Sequence, residues 1–168
     1  YADLIETHKK FNADATIAAM PVNREAASAL GITRVDDTGR VQGFLEKPKT
    51  DQELDLVRMN PAWIDARGIQ SNGCDCLASM GIYVFNREVL LEMLAAPGVD
   101  FGKEIIPKAI STHAVTPYIF RGYWADVGTV ESFYEANIQL TRRGAPFNFF
   151  HPRWPIYTHP RFLPATRA

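Results

Sequence analysis

The sequence has no glycine-rich phosphate loop: neither G-x-G-x-x-G nor a Walker A match occurs in it. No segment can therefore wrap a triphosphate with successive backbone N–H groups. Cysteine is nearly absent. Cys74 and Cys76 stand one residue apart, a spacing that fits neither a C-x-x-C redox pair nor a zinc half-site. Two free thiols in a reducing compartment account for them. The four histidines (His8, His113, His151 and His159) are scattered, with none at metal-ligand spacing from another His or Cys. No Ser-His-Asp order is visible either. No apolar run approaches the roughly 18–20 residues of a membrane span, and Tyr1 to Lys10 lacks a signal-peptide core. Nor does one sign of charge dominate. With 18 basic and 19 acidic residues the net charge is −1, which favours neither nucleic acid nor a membrane surface as partner.

What is present suits one α/β domain with a tail. The length is 168 residues, of which 46% are apolar. Residues 2–11 predict a helix with Leu4, Ile5, His8 and Phe11 on one face. Ala15 to Met20 predicts a buried strand that Pro21 ends. Asn23 to Ala29 predicts a brief helix capped by Asn23. Strands at 32–35 and 41–45 flank the polar connection 36–40, a hairpin signature. Residues 48–73 look like a long, loosely patterned connection, helical in part from Gln52 to Met59. Leu77 to Phe85 reads as a strand buried on both faces. A helix over 87–95 follows, capped by Asn86 and stopped by Pro97-Gly98. A helix over 103–110 despite Pro107, and a strand over 115–120, come next. Trp124 to Gly128 reads as a tight turn into a long helix that ends at Arg142-Arg143-Gly144. Beyond residue 144 the composition turns proline-rich and aromatic, as in a linker. Alternating strands and helices with one hairpin imply a layered α/β domain with a mixed sheet. Its ligands belong at strand ends.

Three strand-end groups bear chemistry. Glu46-Lys47-Pro48 closes a strand. Lys47 is a compact charge suited to phosphate and Glu46 an acceptor suited to sugar hydroxyls. On an extended chain the two point to opposite sides, and Pro48 favours that extended conformation at Lys47. A solvated strand end explains the same residues. Ser79-Met80-Gly81 puts a glycine inside a strand, either for close approach of a ligand or as a bulge. Trp124-x-Asp126-x-Gly128 places a carboxylate just before a helix. It suits Mg²⁺ shared with substrate phosphates, or else an Asx-turn or helix cap.

In order and context these segments resemble the sugar-nucleotide pyrophosphorylases, and most closely the bacterial ADP-glucose pyrophosphorylases (glucose-1-phosphate adenylyltransferases). The resemblance runs through GITRVDDTGRVQGFLEKP (31–48), LASMGIYVF (77–85), DFGKEIIPK (100–108) and YWADVGT (123–129). It also takes in the opening YADL and the tail RWPIYT (153–158). It implies a Rossmann-like nucleotidyltransferase domain, here its C-terminal part over residues 1–144. Residues 145–168 would form a linker toward a left-handed β-helix. It implies transfer of adenylyl from ATP to glucose 1-phosphate with Mg²⁺, in a cytoplasmic homotetramer. Carried over by match, Gly31, Glu46, Lys47 and Ser79 contact glucose 1-phosphate. Lys47 and Asp126 are catalytic. Asp126 is one of two metal-binding aspartates, the other expected upstream of Tyr1. An internal fragment of this kind is expected to be inactive alone. The alternatives are a pyrophosphorylase making UDP-, dTDP- or GDP-sugars, and a non-catalytic regulatory subunit of the same fold.

Overall fold

The computed structural model describes residues 1–95, 98, 100–152 and 156. The chain forms two compact units, Tyr1–Gly122 and Tyr123–Ala168. The predicted stop at Pro97 and most of the RWPIYT tail lie outside the described residues, as does His159.

The first unit is built on a mixed sheet, as the alternation of elements implies. Its strands are β1 (Ala15–Val22), β2 (Gly31–Val35), β3 (Val41–Glu46), β4 (Cys76–Phe85) and β5 (Val115–Ile119), in the order β3-β2-β4-β1-β5. Only β1 and β5 run parallel; the other neighbours are antiparallel. Side chains alternate along a strand, so β4 feeds two cores. Leu77 packs with Ile17, Ile64, Ile106 and Val115, while Cys76 and Ala78 pack with Val22, Ile32, Leu54 and Val57. Burial pushes the Cys76 thiol up to about 12, which keeps it protonated as a small apolar filler.

Several expectations need correction. In α1 (Ala2–Lys10) only Leu4 and His8 are buried, whereas Ile5 and Phe11 are exposed. His8 is held by Thr16 Oγ1 at 2.8 Å and Asn86 Oδ1 at 3.2 Å, a structural role. The Asn86 amide, expected as a helix cap, also donates to the Ala13 carbonyl at 3.1 Å. β1 continues through Pro21 to Val22. Its ladder with β5 stops at Ala19, so Pro21 sits where its missing donor removes no bond to β5. The connection after β3 is less loose than expected: besides the anticipated helix, here α3 (Asp51–Val57), it carries a second capped one, α4 (Pro61–Asp65). They follow α2 (Arg24–Ala27), which Asn23 caps as predicted. Leu54, Val57, Met59 and Ile64 from this stretch are core residues, and Met59 Sδ accepts the Val35 N–H at 3.1 Å.

β4 is fully buried only over its first four residues. Its partner register against β1 slips between Ile17 and Ala19. Ala19 pairs with Ser79 but Ile17 with Tyr83, so Met80, Gly81 and Ile82 face a single residue. Gly81 sits in this bulge at φ +70, a conformation other residues rarely adopt. After α5 (Arg87–Ala95), Pro107 is accommodated because it opens a helix rather than interrupting one. A π-helical turn over Phe101–Ile105 precedes α6 (Ile106–Thr112), with Pro107 in its first turn.

In the second unit α7 spans Val130–Thr141. Residues 123–128 have no regular structure, so the segment is not a tight turn. Thr129 caps the helix reciprocally with Ser132, and the helix-cap alternative for Asp126 falls away. Gly144, at φ +80, follows the helix end.

Candidate functional site

Four of the five residues singled out in the sequence belong to the first unit. The antiparallel register of β2 and β3 pairs Gly31 directly with Glu46. On the other side of β2, Ile32 faces Ala78 and Thr33 faces Leu77, a register whose next step brings Gly31 level with Ser79. Gly31 is needed for space: a methyl group there would collide with the Phe44 ring and stand 2.8 Å from Glu46 Oε2.

Lys47 departs from expectation. Its φ is +51, a left-handed conformation and not the extended one that a following proline favours. Such a residue costs of the order of 1–3 kcal/mol and persists only where its surroundings impose it. Here the Lys47 N–H donates to the Leu30 carbonyl at 3.0 Å, and Pro48 is fully buried. The turn also overturns the opposite-sides prediction, because Lys47 Nζ lies 4.0 Å from Glu46 Oε1. The lysine is more than half exposed and the glutamate about a quarter, so the pair adds little stability. It presents a cation and a carboxylate side by side, open to a ligand.

Three further residues, which the sequence did not single out, complete this corner. Tyr83 OH lies 3.2 Å from Ser79 Oγ, and Ser79 Oγ accepts the Gly81 N–H at 3.2 Å. The bulge thus turns Ser79 and Tyr83 to the same place. Burial pushes the Tyr83 phenol above its ordinary range, with the negative charges of Glu46 and Asp100 adding to the effect and the Ser79 hydrogen bond opposing it. The phenol therefore stays a hydrogen-bond donor at neutral pH. Tyr83 stacks on Phe101, centroids 6.0 Å apart and 17° from coplanar. Asp100 caps the π-helical turn, accepting the Lys103 N–H at 2.9 Å, while its own N–H donates to Glu104 Oε2 at 3.0 Å. The DFGK string carries these residues, but only the fold brings it beside β3 and β4.

A cavity of about 740 Å³ elsewhere in the unit includes Asn23, Arg24, Arg58, Asn60 and Asp75 in its lining. Its Arg24 already meets Asp55 at 2.6 Å, Asp75 at 3.3 Å and Asp51 at 3.6 Å. Those hydrogen bonds to Asp55 and Asp75 raise the Arg24 pKa. A cation so neutralised is a poor phosphate anchor, and the cavity shares no residue with the Glu46 corner.

Asp126, the fifth residue, is exposed in the second unit. Among the described residues no group of three or more His, Cys, Asp or Glu side chains is placed to hold a metal. One exposed hard carboxylate still fits Mg²⁺, which takes one or two carboxylates together with substrate phosphates.

The corner thus gathers the stacked Tyr83 and Phe101 rings, two hydroxyls, the Glu46 carboxylate and the exposed Lys47 ammonium near the ends of β3 and β4. The chain belongs to the nucleotidyl transferase family, whose model matches residues 1–143. It is 41% identical over 170 residues to glucose-1-phosphate adenylyltransferase large subunit 1, chloroplastic/amyloplastic, of Zea mays. That alignment covers 99% of this chain and 33% of the relative, so the chain spans about a third of that relative's length.

Proposed function

We propose that the protein carrying these residues transfers the adenylyl group of ATP to glucose 1-phosphate, releasing ADP-glucose and pyrophosphate. The observation that carries the proposal is the Glu46–Lys47 corner. Lys47 is held in a strained left-handed turn that sets its ammonium beside a carboxylate, and strain of that kind gathers at functional sites. Lys47 binds the sugar phosphate, Glu46 accepts from sugar hydroxyls, and Ser79 and Tyr83 donate to them. Gly31 lets the sugar approach the backbone of β2. A phosphate oxygen of glucose 1-phosphate attacks the α-phosphorus of ATP. The bond from that phosphorus to the bridging oxygen of the β-phosphate breaks, and pyrophosphate leaves in line. No covalent enzyme intermediate is needed, so the residues act by positioning and by neutralising charge. Asp126 holds Mg²⁺, which when bound supplies further charge neutralisation on the phosphates.

Within this proposal residues 1–144 belong to the catalytic domain and 145–168 to a link beyond it; the family match ending at residue 143 supports that boundary. The assembly is a homotetramer and the setting cytoplasmic. Free Cys74 and Cys76 fit a reducing compartment, and among the described residues no helix is long and apolar enough to cross a membrane. The deciding experiment gives the full-length protein glucose 1-phosphate with ATP, UTP, dTTP or GTP and measures pyrophosphate release. The proposal expects ATP to be preferred. Preference for another nucleotide would replace the substrate. Sugar-phosphate binding without turnover of any of the four would point to the regulatory subunit.

A further inference from the structure

Glu46 is pinched between two backbones. Its Oε2 lies where a side chain at Gly31 or at Gly102 would begin: a methyl group on Gly102 would stand 2.6 Å from that oxygen and 3.0 Å from Glu46 Cδ. The two glycines come from different elements, β2 and the π-helical turn. They are glycine for different reasons. At Gly31 the added methyl would also strike the Phe44 ring, so packing demands the glycine. At Gly102 the other nearest group, Asp100 Oδ1, stands at an ordinary 3.5 Å, and the backbone avoids the left-handed region. An alanine there meets nothing rigid; the one group in its way is the flexible end of Glu46.

The turn cannot easily yield instead. Asp100 and Glu104 cap it reciprocally, and Ile105 and Ile106 anchor it in the core. π-Helical turns are frequent at functional sites. We infer that Gly102 is a positioning residue for sugar recognition: its missing side chain fixes the rotamer of Glu46, and so selects which sugar hydroxyls the carboxylate meets.

This inference rests on the proposed role of Glu46 in binding glucose 1-phosphate. The test compares Gly102→Ala, Glu46→Gln and the double variant in the full-length protein, following KM for glucose 1-phosphate, KM for ATP and the melting temperature. The expected result for Gly102→Ala is a KM for glucose 1-phosphate raised about tenfold or more, since a charge-assisted contact is lost. Its KM for ATP should stay within about twofold, and its melting temperature at or above wild type, because alanine also restricts the unfolded chain. On the Glu46→Gln background the added effect of Gly102→Ala should shrink toward nothing, as coupled residues require. If Glu46→Gln loses the sugar phosphate while Gly102→Ala does not, the inference falls and the role of Glu46 stands. If neither variant changes it, the role of Glu46 falls and takes the inference with it. A Gly102→Ala protein that melts well below wild type also overturns the inference, since the glycine would then be structural.

Discussion

Lys47 Nζ stands 4.0 Å from Glu46 Oε1 although the two residues are neighbours in sequence. Adjacent side chains on a strand diverge. The left-handed turn at Lys47, at φ +51, cancels that divergence and puts both charges on one corner.

The turn should show in stability as well as in binding. Glycine adopts positive φ without penalty, whereas alanine keeps the Cβ strain. Lys47→Gly should therefore be more stable than Lys47→Ala by about 1 kcal/mol, with both lacking the charge. Urea unfolding of the two variants checks this; equal stability would mean the turn is not strained.

The β2–β3 hairpin carries its own pH signature. The Asp36 carboxylate accepts from Thr38 Oγ1 at 2.6 Å, the Arg40 N–H at 3.0 Å and Gln42 Nε2 at 2.8 Å. Those bonds, the Thr38 hydroxyl foremost, lower its pKa to about 2. A carboxylate depressed on folding stabilises fully above its unfolded value near 3.9 and loses that contribution as pH falls toward 2. The stability gap between wild type and Asp36→Asn should be constant above about pH 4 and close between pH 4 and 2. A gap independent of pH over that interval would contradict the assignment.

For Asp126 the discriminating change is Asp126→Asn. The helix is capped by Thr129 and Ser132, so asparagine leaves the cap intact. As a metal ligand, the neutral amide is poorer for a hard cation. Turnover should fall strongly, and the magnesium needed for half activity should rise, while circular dichroism is unchanged. Near-wild-type turnover would remove Asp126 from the metal site.

Much of the fold could be read from local pattern. The hairpin, the Asn23 cap and the helix at 87–95 all announce themselves through turn residues or period. The helix at 51–57 shows only as a loosely patterned helical stretch over 52–59, and the one at 61–65 does not show. Both are too short to display a clear period, and their ends are set by Thr50 and Asn60, caps that look like ordinary loop polars. The site was half visible. Glu46, Lys47 and Ser79 stand at strand ends or interruptions. Tyr83 looked like one more apolar strand residue, and Phe101 and Gly102 belonged to a separate string. Their link to Glu46 is a product of sheet register and a bulge at Gly81, which pair residues distant in sequence. The backbone at Lys47 is not legible locally, because a following proline argues for extension; the tertiary bond to Leu30 outweighs that local preference.

On the proposed function, the corner at Glu46 and Lys47 binds the phosphate of the sugar substrate, and steady-state kinetics of Lys47→Ala in the full-length protein decide whether it does. Losing a charge-assisted contact worth ~1.5–3 kcal/mol should raise the KM for glucose 1-phosphate by one or more orders of magnitude and leave that for ATP far less changed. Equal losses for both substrates, or none for glucose 1-phosphate, would contradict the account.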